Sequence, residues 1–178
     1  MKNISIAEVN TPLGTMIATA IGNLLTGLWY PEHVTPTNVP ADGRRVVLDE
    51  VTGVLASVDK ELREYFDGQR QRFTVPTAVL EEPDLLQGTE LHKAVWRQVA
   101  QVEFGELTTY GEIACALGKP QAARPVGQAV GRNPISIVVG CHRVVGAGRK
   151  ITGYAGGLER KRALLALEGI ELAGASRD

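Results

Sequence analysis

Two hydrophobic rhythms divide this chain, and no single packed layer can satisfy both. Over the first thirty residues the apolar positions come in short extended runs: Ile4, Ile6 and Val9, then Met16 to Ile21, then Leu24 to Tyr30. Thr11-Pro12-Leu13-Gly14 and Gly22-Asn23 separate them as turn signals, which predicts a small antiparallel meander. Residues 31–44, with three prolines and Gly43, read as an irregular loop. From Val47 to Phe66 the spacing is helical, with Gly68 as a stop, and residues 67–88 read as a crossing linker.

Beyond residue 88 the punctuation changes. Thr89 is a cap for a helix presenting Leu91, Ala94, Val95, Val99 and Val102, closed by Gly105. Thr109-Tyr110-Gly111-Glu112 fits a capping box that opens a short helix through Leu117. A second short helix runs from about Gln121 to Gly131, with Pro125 acceptable only in its first turn. Ile135 to Val145 is a β-branched run read as a strand, 146–148 a loop, and Leu158 to Glu168 a final helix. Two short helices, a strand and a flexible loop are the pattern of a winged helix-turn-helix. The expected class is therefore α+β in two domains, 1–85 and 86–178.

Charge follows the same division. Residues 1–85 hold 7 Lys/Arg against 12 Asp/Glu, and residues 86–178 hold 12 against 8, which leaves the formal net charge at −1. The stretch 119–158 contains Lys119, Arg124, Arg132, Arg143, Arg149 and Lys150 and no acidic residue. A one-signed segment of that length points to an anionic partner, nucleic acid first, or simply to a solvated basic face. Two cysteines, Cys115 and Cys141, exclude a disulfide scaffold, and with three histidines leave little for a structural zinc site, so no metal and no cofactor are expected. No apolar run reaches membrane-spanning length, and the first residues lack a signal-peptide pattern, so the expected location is the cytoplasm.

The chemistry concentrates in Val138-Val139-Gly140-Cys141-His142-Arg143-Val144-Val145. A cysteine beside a histidine and an arginine has cations that favour its reactive thiolate, whereas a lone cysteine in an apolar run is inert packing. If residues 141 and 142 were both extended, their side chains would point to opposite sides. Either the backbone turns there or a water relays the proton. Cys115, beside Ile113 and Leu117, reads as packing.

Tyr110-Gly111-Glu112, Ala122-Ala123-Arg124, Val126-Gly127, Gly131-Arg132-Asn133-Pro134, Cys141-His142-Arg143-Val144-Val145, Gly153-Tyr154-Ala155-Gly156-Gly157-Leu158 and Glu168-Gly169 occur in that order. Together they resemble the O6-alkylguanine-DNA alkyltransferases, densely from about 89 to 170 and more thinly before that. The resemblance implies a ribonuclease-H-like N-terminal domain of antiparallel sheet plus helix, and a C-terminal winged helix-turn-helix domain. It implies irreversible, once-only transfer of an alkyl group from O6-alkylguanine in duplex DNA to Cys141, with O4-alkylthymine left open. His142 matches the base that draws the thiol proton through a water, Glu168 its orienting carboxylate, and Asn133 the hinge. Tyr154 matches the hydroxyl that donates towards the guanine. Arg124 matches the finger that fills the gap left by a flipped base, and Tyr110 the residue crowding the target phosphate. Ala123, Gly127, Arg132 and Arg143 are further expected DNA contacts. Val130, Val144, Ala155 and Gly156 are expected to line the base pocket, with the Val144 carbonyl facing the exocyclic amine. The partner is expected to be double-stranded DNA, entered through the minor groove by a monomer, with cooperativity left open.

Taken singly, Tyr110 could pack at a helix start, Asn133 only stop a helix, Glu168 face solvent and Arg124 merely touch phosphates. Two departures stand out: Gly140 precedes the cysteine where the family usually has proline, and Pro125 follows Arg124. Proline at 140 is expected to preorganise the site that glycine leaves free. The rivals are a non-catalytic alkylated-base binding protein of the same fold, a cysteine hydrolase using Cys141 and His142, and a domain of a larger alkylation sensor.

Overall fold

The protein is described here by a computed structural model covering residues 3–32, 44–45 and 53–172. It divides into two compact units. One comprises Met1–Gln87 with Pro134–Ser136, the other Gly88–Asn133 with Ile137–Asp178.

In the first unit, β1 (Ile4–Thr11), β2 (Gly14–Ile21) and β3 (Leu24–Trp29) form the expected antiparallel meander. A fourth strand, β4 (Arg44–Arg45), pairs in parallel with Ser5 and Ile6 of β1, giving the order β3-β2-β1-β4. It starts at the end of the expected 31–44 loop, and its two arginines carry no strand signal of their own. Helix α1 (Val54–Phe66) lies on β1 and β2; it buries Val58, Leu62 and Tyr65, and the strands bury Val9, Met16 and Ala18. The beginning of the expected helix, 47–52, lies outside the described residues, as does most of the 31–44 loop. The 67–88 segment is more structured than a linker: α2 (Ala78–Glu81) and a 3-10 turn (Pro83–Leu85) lie within it. The backbone of Pro134–Ser136 joins this unit through hydrogen bonds to both the amide and the carbonyl of Leu28.

In the second unit, α3 (Glu90–Ala100) starts at Thr89, whose hydroxyl accepts from the amide of His92. It ends at Gln101 rather than at Gly105, which lies beyond it with φ 81 and serves the site described below. β5 (Thr108–Thr109) leads directly into α4 (Tyr110–Ala116). The predicted capping box is present, with Thr109 Oγ1 accepting from the Glu112 amide and Glu112 Oε2 from the Thr109 amide. α5 (Ala123–Gly131) follows, and Pro125 sits in its first turn, where no intrahelical amide partner is lost. α5 packs against α3 and α4, and Trp96 Nε1 donates to the Ala129 carbonyl at 2.8 Å. Cys115 is exposed on α4 rather than packed, because Ile113 and Ala114 already supply the buried face.

The expected strand Ile135–Val145 does not form. Ile137 takes φ 69, a left-handed value that is uncommon for a β-branched residue and turns the chain. Ile135 makes only an isolated parallel bridge with Leu28, Cys141–Arg143 is one turn of 3-10 helix, and β6 (Val144–Val145) is the one strand of the run, pairing in parallel with β5. β-Branching favoured a strand, but polar groups at 141–143 find their partners only if the backbone turns. α6 (Leu158–Leu167) closes the unit, its last carbonyls satisfied by Gly169, at φ 77, and Ile170.

A buried carboxylate centre beside Cys141

The backbone turns here: residues 141 and 142 are not both extended, and Cys141, His142 and Arg143 are all buried within one 3-10 turn. Gly169 ends α6 and leaves Glu168 at the cap position, with its side chain inside the unit. There Glu168 Oε2 lies 2.5 Å from His142 Nε2, and neither side chain is solvent-exposed. Arg143 grips the same carboxylate, Nε donating to Oε1 at 2.8 Å and Nη2 to Oε2 at 3.1 Å. The Gly105 amide adds a bond to Oε1 at 3.1 Å, the task that its post-helix position performs.

These contacts fix the charge states. Burial works to raise the Glu168 carboxyl, but hydrogen bonds from His142 and Arg143 outweigh it and hold the group well below the usual carboxylate range. For His142, burial dominates and lowers its pKa; Glu168 opposes this, while Arg143 and Lys161 reinforce it. A neutral imidazole with Nε2–H donated to Glu168 leaves Nδ1 as its basic nitrogen, and no protein atom among the described residues bonds Nδ1.

Arg143 was expected on DNA and is not available for it. Its third donor, Nη1, is bound to the Val102 carbonyl at 2.7 Å, so the guanidinium is consumed inside the fold. Lys161 is a site residue that the sequence reading missed. Fully buried on α6, its Nζ donates to the Val144 carbonyl at 2.6 Å and to the Gly153 carbonyl at 3.3 Å. Burial lowers its pKa to about 8, against an opposing pull from negative charge on Cys141. Helical spacing could have found it, since 161 shares a face with the buried Leu164 and Leu165.

The remaining expected residues fall into two groups. Asn133 is buried and Nδ2 donates to the Val139 carbonyl at 2.9 Å, tying the end of α5 to the segment that leads into Cys141. The Val144 carbonyl is engaged by Lys161, which leaves it a second lone pair for another donor. Gly156 is buried and its carbonyl accepts from Arg160, Val130 is buried, and Tyr154 and Ala155 are half-buried. The Tyr110 ring lies over Gly127, where an added Cβ would stand 3.6 Å from it, and its hydroxyl meets Thr152 Oγ1 at 2.8 Å. Arg124 and Arg132 are exposed and Ala123 half-buried, all outside the buried carboxylate centre. Among the described residues, no group of three or more His, Cys, Asp or Glu is placed to hold a metal ion.

Residues 90–170 match the family described as 6-O-methylguanine DNA methyltransferase, DNA binding domain. A methylated-DNA–protein-cysteine methyltransferase of Mycobacterium tuberculosis H37Rv is 41% identical over 160 residues, 90% of this chain and 89% of that one. Its namesake from Haemophilus influenzae is 43% identical over 161 residues, 90% and 83% of the two chains. The crystal structure of Mycobacterium tuberculosis OGT in complex with DNA superposes with a TM-score of 0.79 at 36% identity, over 92% of each chain. The fold is thus the two-domain alkyltransferase fold, a small antiparallel sheet with helices, and this chain belongs to the methylated-DNA–protein-cysteine methyltransferase family.

Proposed function

We propose that this protein repairs DNA by moving an alkyl group from the O6 atom of guanine in a duplex onto its own Cys141. The observation that carries the mechanism is the Glu168–His142 contact at 2.5 Å beside a buried cysteine, which supplies an oriented base next to a nucleophile. His142 Nδ1, neutral and basic, takes the Cys141 proton through a water. The thiolate displaces the alkyl carbon from oxygen, a carbon–sulfur bond forms as the carbon–oxygen bond breaks, and the guanine leaves with the electron pair. Tyr154 is assigned to hydrogen-bond the base as that charge grows. The thioether offers no leaving group to any residue here, so each molecule reacts once.

The DNA-facing roles extend the same reading. Residues 1–85 are assigned as a ribonuclease-H-like domain and 86–178 as the DNA-binding, alkyl-accepting domain. α4 and α5 serve as a winged helix-turn-helix entering the minor groove, with Arg124 filling the gap behind the flipped base and Tyr110 facing its phosphate. Asn133 is the hinge, and Val130, Val144, Ala155 and Gly156 line the base site. The protein acts as a monomer in the cytoplasm.

Peptide mapping after reaction with an O6-methylguanine duplex tests this. The methyl group is expected on Cys141, and its recovery on the exposed Cys115 would overturn the assignment.

A further inference from the structure

Gly140 has φ −73, a value that proline also adopts, so its backbone does not demand glycine. The space above its Cα does. A Cβ there would stand 2.7 Å from Arg143 Nη1 and 3.0 Å from both Cδ and Cζ. An arginine tip ordinarily swings aside at little cost, but this one is held at three points: Nε and Nη2 on Glu168, and Nη1 on the Val102 carbonyl. A side chain at 140 therefore requires this held guanidinium to shift.

We propose that Gly140 is a positioning residue: its bare Cα seats the Arg143 guanidinium against Glu168 and thereby sets how much of that carboxylate is left to His142. Three charged groups face His142: Glu168 at the end of α6, Arg143 on its own turn and Lys161 on α6. Seated, Arg143 divides the carboxylate with His142 and adds a positive charge nearby, and both effects favour the neutral imidazole. Displaced, it withdraws that charge and leaves Glu168 to His142 alone, and both changes favour the imidazolium. Restoring a side chain at 140 therefore does not improve the site; it costs His142 basicity-competent population at neutral pH.

This rests on the proposed role of His142 as the base for Cys141, and the experiment separates the two. The imidazole resonances of His142 are titrated by NMR in the unreacted protein without DNA, for the native chain, Gly140→Ala, Arg143→Lys and Gly140→Ala/Arg143→Lys. Gly140→Ala is expected to raise the His142 midpoint by about one pH unit, the size of effect a neighbouring charge exerts. The acidic limb of the single-turnover rate should move with it. In the Arg143→Lys background, where the side chain lacks the fork that is obstructed, the added methyl group should leave the midpoint unchanged. An unchanged midpoint in Gly140→Ala, or the same shift in both backgrounds, overturns the proposal. If Gly140→Ala does not fold, folding of the double variant supports Arg143 as the obstruction, and failure of both overturns it. A shifted midpoint with an unmoved rate profile overturns the role of His142 as base and leaves the seat of Arg143 standing.

Discussion

His142 Nε2 and Glu168 Oε2 lie 2.5 Å apart with both side chains sealed from solvent, and the same carboxylate is forked by Arg143. Removing the carboxylate charge leaves a buried guanidinium without its anion, a change that typically costs about 3–5 kcal/mol. Glu168→Gln is therefore expected to lose stability on that scale in denaturant unfolding. A loss below about 1 kcal/mol, the scale of an exposed ion pair, would contradict it. The pH dependence follows from the depressed carboxyl: its stabilisation is complete above the unfolded pKa of about 4.3 and drains away as pH falls towards the folded value. The gap between native and Glu168→Gln chains should close in that acid window.

Lys161 acts in the same direction at the alkaline end, although here it is the charged form that burial penalises. Its folded pKa is lowered from 10.5 to about 8, so above that value the folded state sheds the proton that the unfolded chain still holds. Stability contributed at this site should rise between about pH 8 and 10.5. Measured against Lys161→Met, the native chain should gain steadily across that window. A difference that stays flat would show that the ammonium is not penalised by its burial.

Arg124 is exposed on the first turn of α5 and has no structural duty among the described contacts. Arg124→Ala should slow repair in duplex DNA by at least about tenfold, since flipping a base costs a few kcal/mol, while reaction with the free modified base is unaffected. Equal losses on both substrates would remove the finger role.

With Arg143 buried, the acid-free stretch presents five exposed cations: Lys119, Arg124, Arg132, Arg149 and Lys150. Duplex affinity should fall with salt along a slope set by the phosphates that these neutralise, about 0.9 per contact. Replacing Lys150 by Gln should lower the slope by roughly one unit if it contacts a phosphate. Affinity that stays flat from low to physiological salt would speak against a phosphate-led interface.

Much of this architecture was legible. Short extended runs between turn signals gave the meander, and the Thr109–Glu112 capping box gave the start of α4, because both signals are local and the physics that decides them is local too. What failed was long-range. β-Branching across Ile135–Val145 predicted a strand, but partners for the His142 and Arg143 side chains lie at the end of α6 and before β5, far away in sequence. Arg143 looked like one more cation of a basic stretch, and nothing within that stretch could reveal a carboxylate 25 residues downstream as its partner. Lys161 sat in a run of charges, and only its place on the face of Leu164 and Leu165 set it apart. Gly140 looked like lost rigidity; the structure shows room made for a guanidinium instead.

On the proposed mechanism Cys141 accepts the alkyl group and nothing in the site releases it. Mixing the protein with a growing excess of O6-methylguanine duplex and counting repaired guanines measures this directly. A plateau at one repaired base per protein molecule is expected, with Cys141→Ser giving none while binding the duplex nearly as well. Product rising well past one equivalent would contradict it.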